Sequence, residues 1–489
     1  MSRTYTGKVF VLFLLINLLT HLPFLTYPPC GSHVWRQCNT LAMSRNFAEE
    51  GMNILEPRID RRNETEGITG SHFPLYEWTL AVGFRIFGFS ETLARIYSLL
   101  ISTAAMLAIY LLLSFAGSKR DFATIGGLLL LSVPQMYYDG INAMPDILAL
   151  SAALFSLFFI LRYFIQSRIT DGIPGLLLAI ICGMIKFQFL IIPFSAIAFM
   201  PLNKRAFRFA IPAASFTLLS VFLWYRYALQ LTERSNLREY GLWIKTVDMK
   251  TVLKTIFGNL SSDLPELLTG WPLFAALCVV LFKSYRYVQV RQFGRMLLIW
   301  IGGFILFYAV AIERMQQHSY YFMALIPVFI LMSVRLLEIR KTAFFWMLAL
   351  CILNFIWSFA RIIPSRWQDA RMGIPAEFIN AEQRLALSSA VPEGERCLIG
   401  PDLSGCIYFY FTHSKGFSFA EPGDLLQELC KNQNRLQNLN AKSGIRYLMV
   451  KTDAQTADLL SRIQNKQLKK RVGTFEVWEL NTAQSPVLP

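Results

Sequence analysis

The sequence predicts an α-helical polytopic membrane protein of about eleven spans, with amphipathic helices in a long first outer loop and a small C-terminal α/β extracytoplasmic domain. Three observations predict it. Of 489 residues, 54% are hydrophobic and only 16% charged, with a mean hydropathy of +0.41; a soluble domain carries roughly 25% charged residues. Apolar runs of about 20 residues recur along the chain, the length that crosses a bilayer as a helix. Past residue 361 the composition changes, and short alternating segments replace the apolar runs.

The first apolar run, Val9 to Leu25, is followed by Thr26-Tyr27-Pro28-Pro29-Cys30 without a small-residue cleavage pattern, so it reads as a retained anchor. Next comes a polar loop, 27–75, rich in His, Trp, Arg, Asp and Glu. A loop of that length between spans is uncommon unless it has a function. Within it, Thr40 to Gly51 has a helical pattern, Thr40 in the N-cap position and Gly51 at the stop, placing Leu41, Ser44, Arg45 and Ala48 on one face. Leu75 to Phe87 reads as an interfacial helix. Spans are expected at 93–115, 122–138, 144–165, 173–186, 187–201, 207–228, 270–283, 296–312, 319–337 and 342–360. Pro193 and the Lys186-Phe187-Gln188 break favour two short passes or a re-entrant pair over one long helix across 173–201. The membrane core thus covers 1–361 and the extracytoplasmic domain 362–489. In that domain Arg396–Gly400, Cys406–Thr412, Ile445–Val450 and Phe475–Leu480 read as strands, and Pro375–Ser389 and Ala454–Gln464 as helices.

The formal charge of +15 does not indicate nucleic acid, because its distribution is that of membrane orientation. With Arg3 and Lys8 in the cytoplasm, alternate loops carry Lys119 and Arg120; Arg162 and Arg168; Lys204, Arg205 and Arg208; Lys283, Arg286, Arg291 and Arg295; and Arg335, Arg340 and Lys341. All then lie inside, as the positive-inside rule requires. The long loops and the tail lie outside. Cys30 and Cys38 share the first loop, and Cys397, Cys406 and Cys430 the tail; a disulfide or free thiols fit either region. Cys182, Cys278 and Cys351 lie in apolar runs as small buried side chains.

Unusual polar residues collect on the outer side: His33, Trp35, Arg36, Asp60, His72, Asp139, Asp146, Lys186, Glu233, Arg234 and His318. A cavity lined with both charges beside a lipid-facing entrance suits a substrate with an anionic head and a lipid tail. Arg36 and Arg45 can each grip a phosphate through a forked contact, or anchor the loop to headgroups of the membrane lipids. Trp35 can stack on a sugar or sit in the interfacial aromatic belt. Asp60, in Pro57-Arg58-Ile59-Asp60-Arg61-Arg62, can act as general base or as one half of a structural salt bridge. Asp146 opens a span, where an acid also stabilises a helix N-terminus. Lys186 can neutralise a phosphate or snorkel. His33, His72 and His318, with Asp60 or Asp146, have the donor types of a divalent-metal site but no spacing signature; single roles such as a hydrogen bond to phosphate serve equally. No cofactor is required by any motif. No glycine-rich phosphate loop, Walker motif or Ser-His-Asp arrangement is evident in the sequence, which argues against an ATP-driven pump. Nucleotide-sugar chemistry does not fit polar residues gathered outside.

Taken in order, His33-Val34-Trp35-Arg36-Gln37 with Ala42 to Phe47, Phe73-Pro74-Leu75-Tyr76, Met144-Pro145-Asp146, Lys186, and His318-Ser319-Tyr320-Tyr321 leading to Pro327 make the chain similar to a known superfamily. It resembles the polytopic C-type glycosyltransferases, in the protein O-mannosyltransferase-like and aminoarabinose-transferase-like branch (the bacterial family-39 type). The resemblance implies a transferase that moves a sugar, hexose or pentose, from a polyprenyl-phosphate donor to an envelope acceptor: a glycolipid, a polysaccharide or a protein. Transfer would occur at the outer face of a bacterial inner membrane, with inversion. It implies that Lys186, Arg36 and His318 steady the leaving phosphate; His33, Trp35, Arg45, His72 and Tyr320 are the further candidates for binding substrate. The family's early acid in the first loop is missing, since the matching positions hold Arg36 and Asn39. Asp60 is therefore the first candidate base and Asp146 the second. The rival of a different class is a non-enzymatic transporter or flippase for a lipid-linked saccharide. That would place polar residues through the midplane, often with repeat symmetry, whereas here they gather outside.

Overall fold

The computed structural model describes residues 3–201, 204–235, 237, 247–284, 292–338, 343–368, 372–421, 444–463 and 466–480. Of the residues named above, Arg286, Arg291, Arg340, Lys341, Cys430 and Gln464 lie outside that set. The helices run α1 (Arg3–His21), α2 (Val34–Glu50), α3 (Leu75–Phe87), α4 (Glu91–Phe115), α5 (Arg120–Ser132), α6 (Pro134–Asp139), α7 (Pro145–Gln166), α8 (Ile169–Ile185), a tight stretch α9 (Phe187–Phe199), α10 (Lys204–Ser235), α11 (Met249–Gly258), α12 (Trp271–Ser284), α13 (Gln292–Val310), α14 (Ile312–Gln317), α15 (Ile326–Leu337) and α16 (Ala343–Arg366). Among the described residues, seven helices are long and apolar enough to cross a membrane, and Ile169–Ile185 and Phe187–Phe199 are shorter apolar helices.

Burial orders the bundle. The apolar windows of α4 and α7 are 67% buried and that of α10 only 17%, so α4 and α7 form the middle and α10 a flank. Exposed Leu19, Phe222 and Leu306 need no protein partner in lipid, where close packing rather than apolar burial holds helices together. That packing is visible at α5: a Cβ on Gly127 would collide with the Phe13 ring of α1, and one on Gly126 with Leu113 of α4. Asn17 adds a polar tie, donating from Nδ2 to Ser102 Oγ (2.8 Å) and Thr103 Oγ1 (3.1 Å) of α4.

Three local expectations are corrected. The span expected at 122–138 breaks between α5 and α6, because Pro134 has no N–H to continue the ladder and keeps Val133 extended (φ −73°, ψ 130°). The first-loop helix starts at Val34, not after Thr40. Gln37 fastens that earlier turn by donating from Nε2 to the carbonyls of Cys30 (3.0 Å) and Ser32 (3.1 Å); Thr40 is buried inside the helix, which ends at Gly51 as expected. Cys406–Thr412 is a helix rather than a strand. In so short and uniformly apolar a run, periodicity does not separate the two. What decides it is the cap: Ser404 Oγ accepts from Ile407 N (3.0 Å) and Asp402 Oδ2 from Tyr408 N (3.0 Å).

The C-terminal part contains helices α17 (Ala376–Ile379), α18 (Ala381–Ser388), α19 (Ile407–Thr412) and α20 (Ala454–Ser461), and strands β1 (Arg396–Gly400), β2 (Lys415–Ser418), β3 (Ile445–Lys451), β4 (Lys466–Val472) and β5 (Phe475–Leu480). The helix expected over 375–389 is interrupted at Asn380, whose side chain accepts from Gln383 N and caps α18. The sheet order is β2-β1-β3-β5-β4, with β1 parallel to β2 and β3 and the β3, β5, β4 pairs antiparallel. The first loop joins its β2 edge. Arg62 N donates to Gly416 O (2.8 Å), and Gly416 N to Asp60 O (3.1 Å). Gly416 has φ +146°, and a Cβ there would strike the Cys397 carbonyl, so only glycine fits this three-layer crossing. Lys415 of β2 with Glu50 and Arg396 of β1 with Glu66 (3.2 Å) fasten the same seam. The sheet domain therefore covers α2, which explains why that helix is buried on nearly all sides from Val34 to Phe47.

Candidate active site

Four segments meet at the end of the bundle that carries the first loop and the sheet domain. The first turn of α2 supplies His33, Trp35 and Arg36. The N-terminus of α7 supplies Asp146. The break between α8 and α9 supplies Lys186, and the turn after α14 supplies His318 to Tyr321. Each is placed by a local rule. His33 adopts the left-handed conformation (φ 54°) that turns the chain into α2. Pro145 occupies the first turn of α7 and sets Asp146 where a helix favours an acid. Lys186 is extended (φ −154°, ψ 110°) between two helices.

Asp146 is the hub. Its side chain is fully buried, and its Oδ2 accepts from Arg36 Nη2 at 2.8 Å while its Oδ1 lies 3.1 Å from Lys186 Nζ. The two cations share an aromatic floor. Arg36 lies 4.8 Å and Lys186 4.5 Å from the Tyr320 ring centroid, and Lys186 is 4.2 Å from that of Tyr321. His318 stacks on Tyr320 at 5.3 Å; His33 meets the same ring edge-on at 4.8 Å and faces His318 at 5.7 Å. Trp35 closes one side, 5.9 Å from His318. Ser319 Oγ is 3.3 Å from His33 Nε2.

The electrostatics leave the cations in command. Burial opposes charge on Arg36, but the Asp146 carboxylate, together with Tyr320, Tyr321 and Glu77, outweighs it and holds the pKa above the ordinary value. Burial pushes the His33 imidazole down to about 3, with His318 and Arg36 adding to it, and His318 down to about 4, with Lys186 and Arg36 adding to it. Both rings are neutral at pH 7. The cluster therefore presents the Arg36 guanidinium, the Lys186 amine beside the Asp146 carboxylate, and neutral hydrogen-bonding groups. Arg36 Nε and His318 Nδ1 are buried without a hydrogen-bond partner, so the site has hydrogen-bonding capacity beyond what the protein itself uses.

The other sequence candidates fall elsewhere. His72 Nε2 sits 2.8 Å from Glu77 Oε1 of α3, beside the cluster. Arg45 and Asp60 form a second, separate pair. Asp60 is 2% exposed, and its Oδ2 accepts from Arg45 Nη2 (2.9 Å) and its Oδ1 from Asn46 Nδ2 (2.9 Å). Both oxygens of the first-choice base are thus engaged. The three histidines do not converge: His33 and His318 adjoin, His72 is held by Glu77, and no group of three His, Cys, Asp or Glu with metal-binding proximity occurs among the described residues. The cysteines of the first loop and tail that are described, Cys30, Cys38, Cys397 and Cys406, are free thiols.

Sequence reasoning gave no role to Glu77 or Asp139. Glu77 is fully buried on a helix that reads as interfacial. Asp139, in the turn before α7, is 1% exposed, accepts from Gln135, and has one oxygen without a partner. Burial lifts its carboxyl to about 7, while the hydrogen bond from Gln135 pulls the other way. Its folded pKa lies above the unfolded value of about 3.9. The folded state therefore binds the extra proton, and this group's contribution to stability is full below pH 4 and is lost as pH rises through 7. Asp139→Asn is expected to flatten this decline. Thermal unfolding of both proteins at pH 5 and pH 8 checks it, and equal slopes would refute the assignment.

Comparison with known proteins agrees with this architecture. Residues 71–228 match the family model described as dolichyl-phosphate-mannose-protein mannosyltransferase. Among curated proteins none matches. Solved structures with the same fold include ArnT from Cupriavidus metallidurans in the apo state, with a TM-score of 0.66 at 12% identity over 98% of each chain. The same enzyme bound to undecaprenyl phosphate gives 0.66 at 12% over 98% of this chain and 99% of that one. The oligosaccharyltransferase AglB from Archaeoglobus fulgidus, in complex with an inhibitory peptide and a dolichol-phosphate, gives 0.53 at 14% over 99% and 75%. The fold is that of a multi-pass membrane protein, shared with ArnT and AglB. The chain shares the ArnT fold along almost its whole length, and its residues 71–228 carry the match to the mannosyltransferase family model.

Proposed function

We propose that the protein transfers a sugar, hexose or pentose, from a polyprenyl-phosphate donor to an envelope acceptor. One observation carries this reading: a buried carboxylate holding two cations over an aromatic floor, in the fold that ArnT uses with undecaprenyl phosphate. Arg36 and Lys186 bind the donor phosphate, the guanidinium by a forked contact and the ammonium as a point charge. The acceptor hydroxyl oxygen attacks the anomeric carbon, the bond from that carbon to the phosphate oxygen breaks, and the electron pair leaves with polyprenyl phosphate. The stereochemistry inverts. The growing negative charge on the leaving phosphate is met by cations already in place, which lowers the barrier without reorganisation. The donor phosphate competes with Asp146 for Arg36 and Lys186, and the carboxylate oxygen released takes the proton from the acceptor hydroxyl. Trp35, His33, His318 and Tyr320 wall the sugar, and the His72–Glu77 pair supports the wall. Asp60 and Arg45 hold the first loop. The site faces the outer side of a bacterial inner membrane, with the N-terminus in the cytoplasm and the sheet domain outside, as the basic loops require.

The test uses the full-length protein in nanodiscs with a radiolabelled undecaprenyl-phosphate sugar pool and a membrane extract as acceptor. Release of undecaprenyl phosphate together with labelled acceptor is expected, and Lys186→Met should reduce it by about 10²–10³-fold. Movement of intact donor across vesicles with neither cleavage nor transfer would overturn the reading.

A further inference from the structure

A second cavity, a cleft of about 530 Å³, lies at the seam between the membrane helices and the sheet domain. One wall is the start of α4 with Phe89 and Glu91; the other is α18 and α19 with Arg384, Ser388 and Tyr410. Its polar groups are fixed. Arg384 Nη1 lies 3.2 Å from both Glu91 oxygens, and the Tyr410 hydroxyl donates to Glu91 Oε1 at 2.8 Å. Phe89 and Tyr410 supply aromatic faces, with centroids 6.4 Å apart and planes at 61°. Behind those rings sits Arg45, 2% exposed, its guanidinium carbon 5.8 Å from each centroid. Its Nη2 is spent on Asp60, but its Nη1 is buried with no partner. Arg45 itself does not line the cleft; it stands behind the rings that do.

The chemistry selects the ligand. Glu91 offsets Arg384 and Asp60 offsets Arg45, so the cleft has no spare cation for a phosphate. It offers instead aromatic faces with a few convergent donors and acceptors, the lining that suits a neutral, hydroxyl-rich molecule with one apolar face. We infer that the cleft is a distal saccharide subsite that holds a sugar unit of the acceptor away from the point of transfer. The inference rests on the transferase reading and narrows it to an acceptor that carries a glycan. Arg45 follows Arg36 by nine residues on α2, about 13 Å along the helix at 1.5 Å per residue, so an extended saccharide can occupy the cleft while its reactive hydroxyl reaches Asp146.

The experiment reads transfer and donor cleavage separately, on the full chain in nanodiscs with the undecaprenyl-phosphate sugar pool and an extract from the membranes of cells that make the protein. Leu385 lines the cleft and is 70% exposed, so Leu385→Trp fills the space without disturbing the core, and Leu385→Ala serves as control. Leu385→Trp should raise the amount of extract needed for half-maximal transfer by about ten-fold or more, with donor half-saturation as in Leu385→Ala. A photoreactive benzoylphenylalanine at position 388 should capture material that stains for carbohydrate. Transfer unaffected by Leu385→Trp, or capture of phospholipid alone, overturns the subsite and leaves the transferase standing. No donor cleavage by the unmodified chain overturns the transferase and the subsite with it.

Discussion

Asp146→Asn is expected to lower kcat by about 10²–10⁴-fold, the range of a general base removed, without raising the KM for the donor. The split follows from the geometry. Arg36 Nη2 and Lys186 Nζ stand 2.8 and 3.1 Å from the two carboxylate oxygens of a side chain with no exposure. An amide in its place keeps the shape but leaves two buried cations without an anion. A phosphate then enters a site that is more positive than before, so donor binding holds or tightens while the proton acceptor is gone. Lys186→Met should do the opposite for binding, raising donor KM as well as lowering kcat, because it removes a cation that touches the phosphate. Steady-state kinetics over a range of donor concentrations separates the two patterns. If Asp146→Asn raises donor KM and leaves kcat unchanged, Asp146 only positions the cations and the proton goes elsewhere.

Much of this site was legible as a list of residues and little of it as a set of pairs. His33, Trp35, Arg36, Asp146, Lys186, His318 and Tyr320 stand out because ionisable and aromatic groups at the ends of apolar runs are hard to explain otherwise, and the structure brings all seven together. The pairing of Arg36 with Asp146, 110 residues apart, follows from how α2 lies against α7, which no local pattern encodes. Leu75–Phe87 and the ends of α4 were readable from hydropathy and turn residues. The strand expected at Cys406–Thr412 was not, because the cap that makes it a helix lies in Asp402 and Ser404, outside the apolar run. β2 and β4 were missed for a related reason: Lys415–Ser418 is four residues long, and Lys466–Val472 is mostly charged and exposed. Each is a strand by virtue of its neighbour. Asp60 looked like a base in its window of arginines, and the window does not say which arginine reaches back to it from α2.

Asp60 is therefore the position where the reading from sequence and the reading from structure part most sharply. Asp60→Asn is expected to destabilise the protein by about 3–5 kcal/mol, the cost of breaking a buried ion pair from one side, while molecules that remain folded keep a near-normal kcat. The stranded charge is Arg45, 2% exposed, whose anion partner among the described residues is Asp60. The backbone at the same point holds β2, through Gly416 N to Asp60 O at 3.1 Å, so loosening the loop also loosens the sheet domain over α2. Arg45→Met combined with Asp60→Leu should recover much of the loss, since two apolar residues of similar volume need no desolvation to pack. The cycle of single and double variants isolates the pair. Thermal unfolding and single-turnover transfer, measured on the same preparations, decide between the two roles. A variant Asp60→Asn as stable as the parent but slower by orders of magnitude would return Asp60 to the chemistry, and Asp146 would then be the residue that only holds the cations.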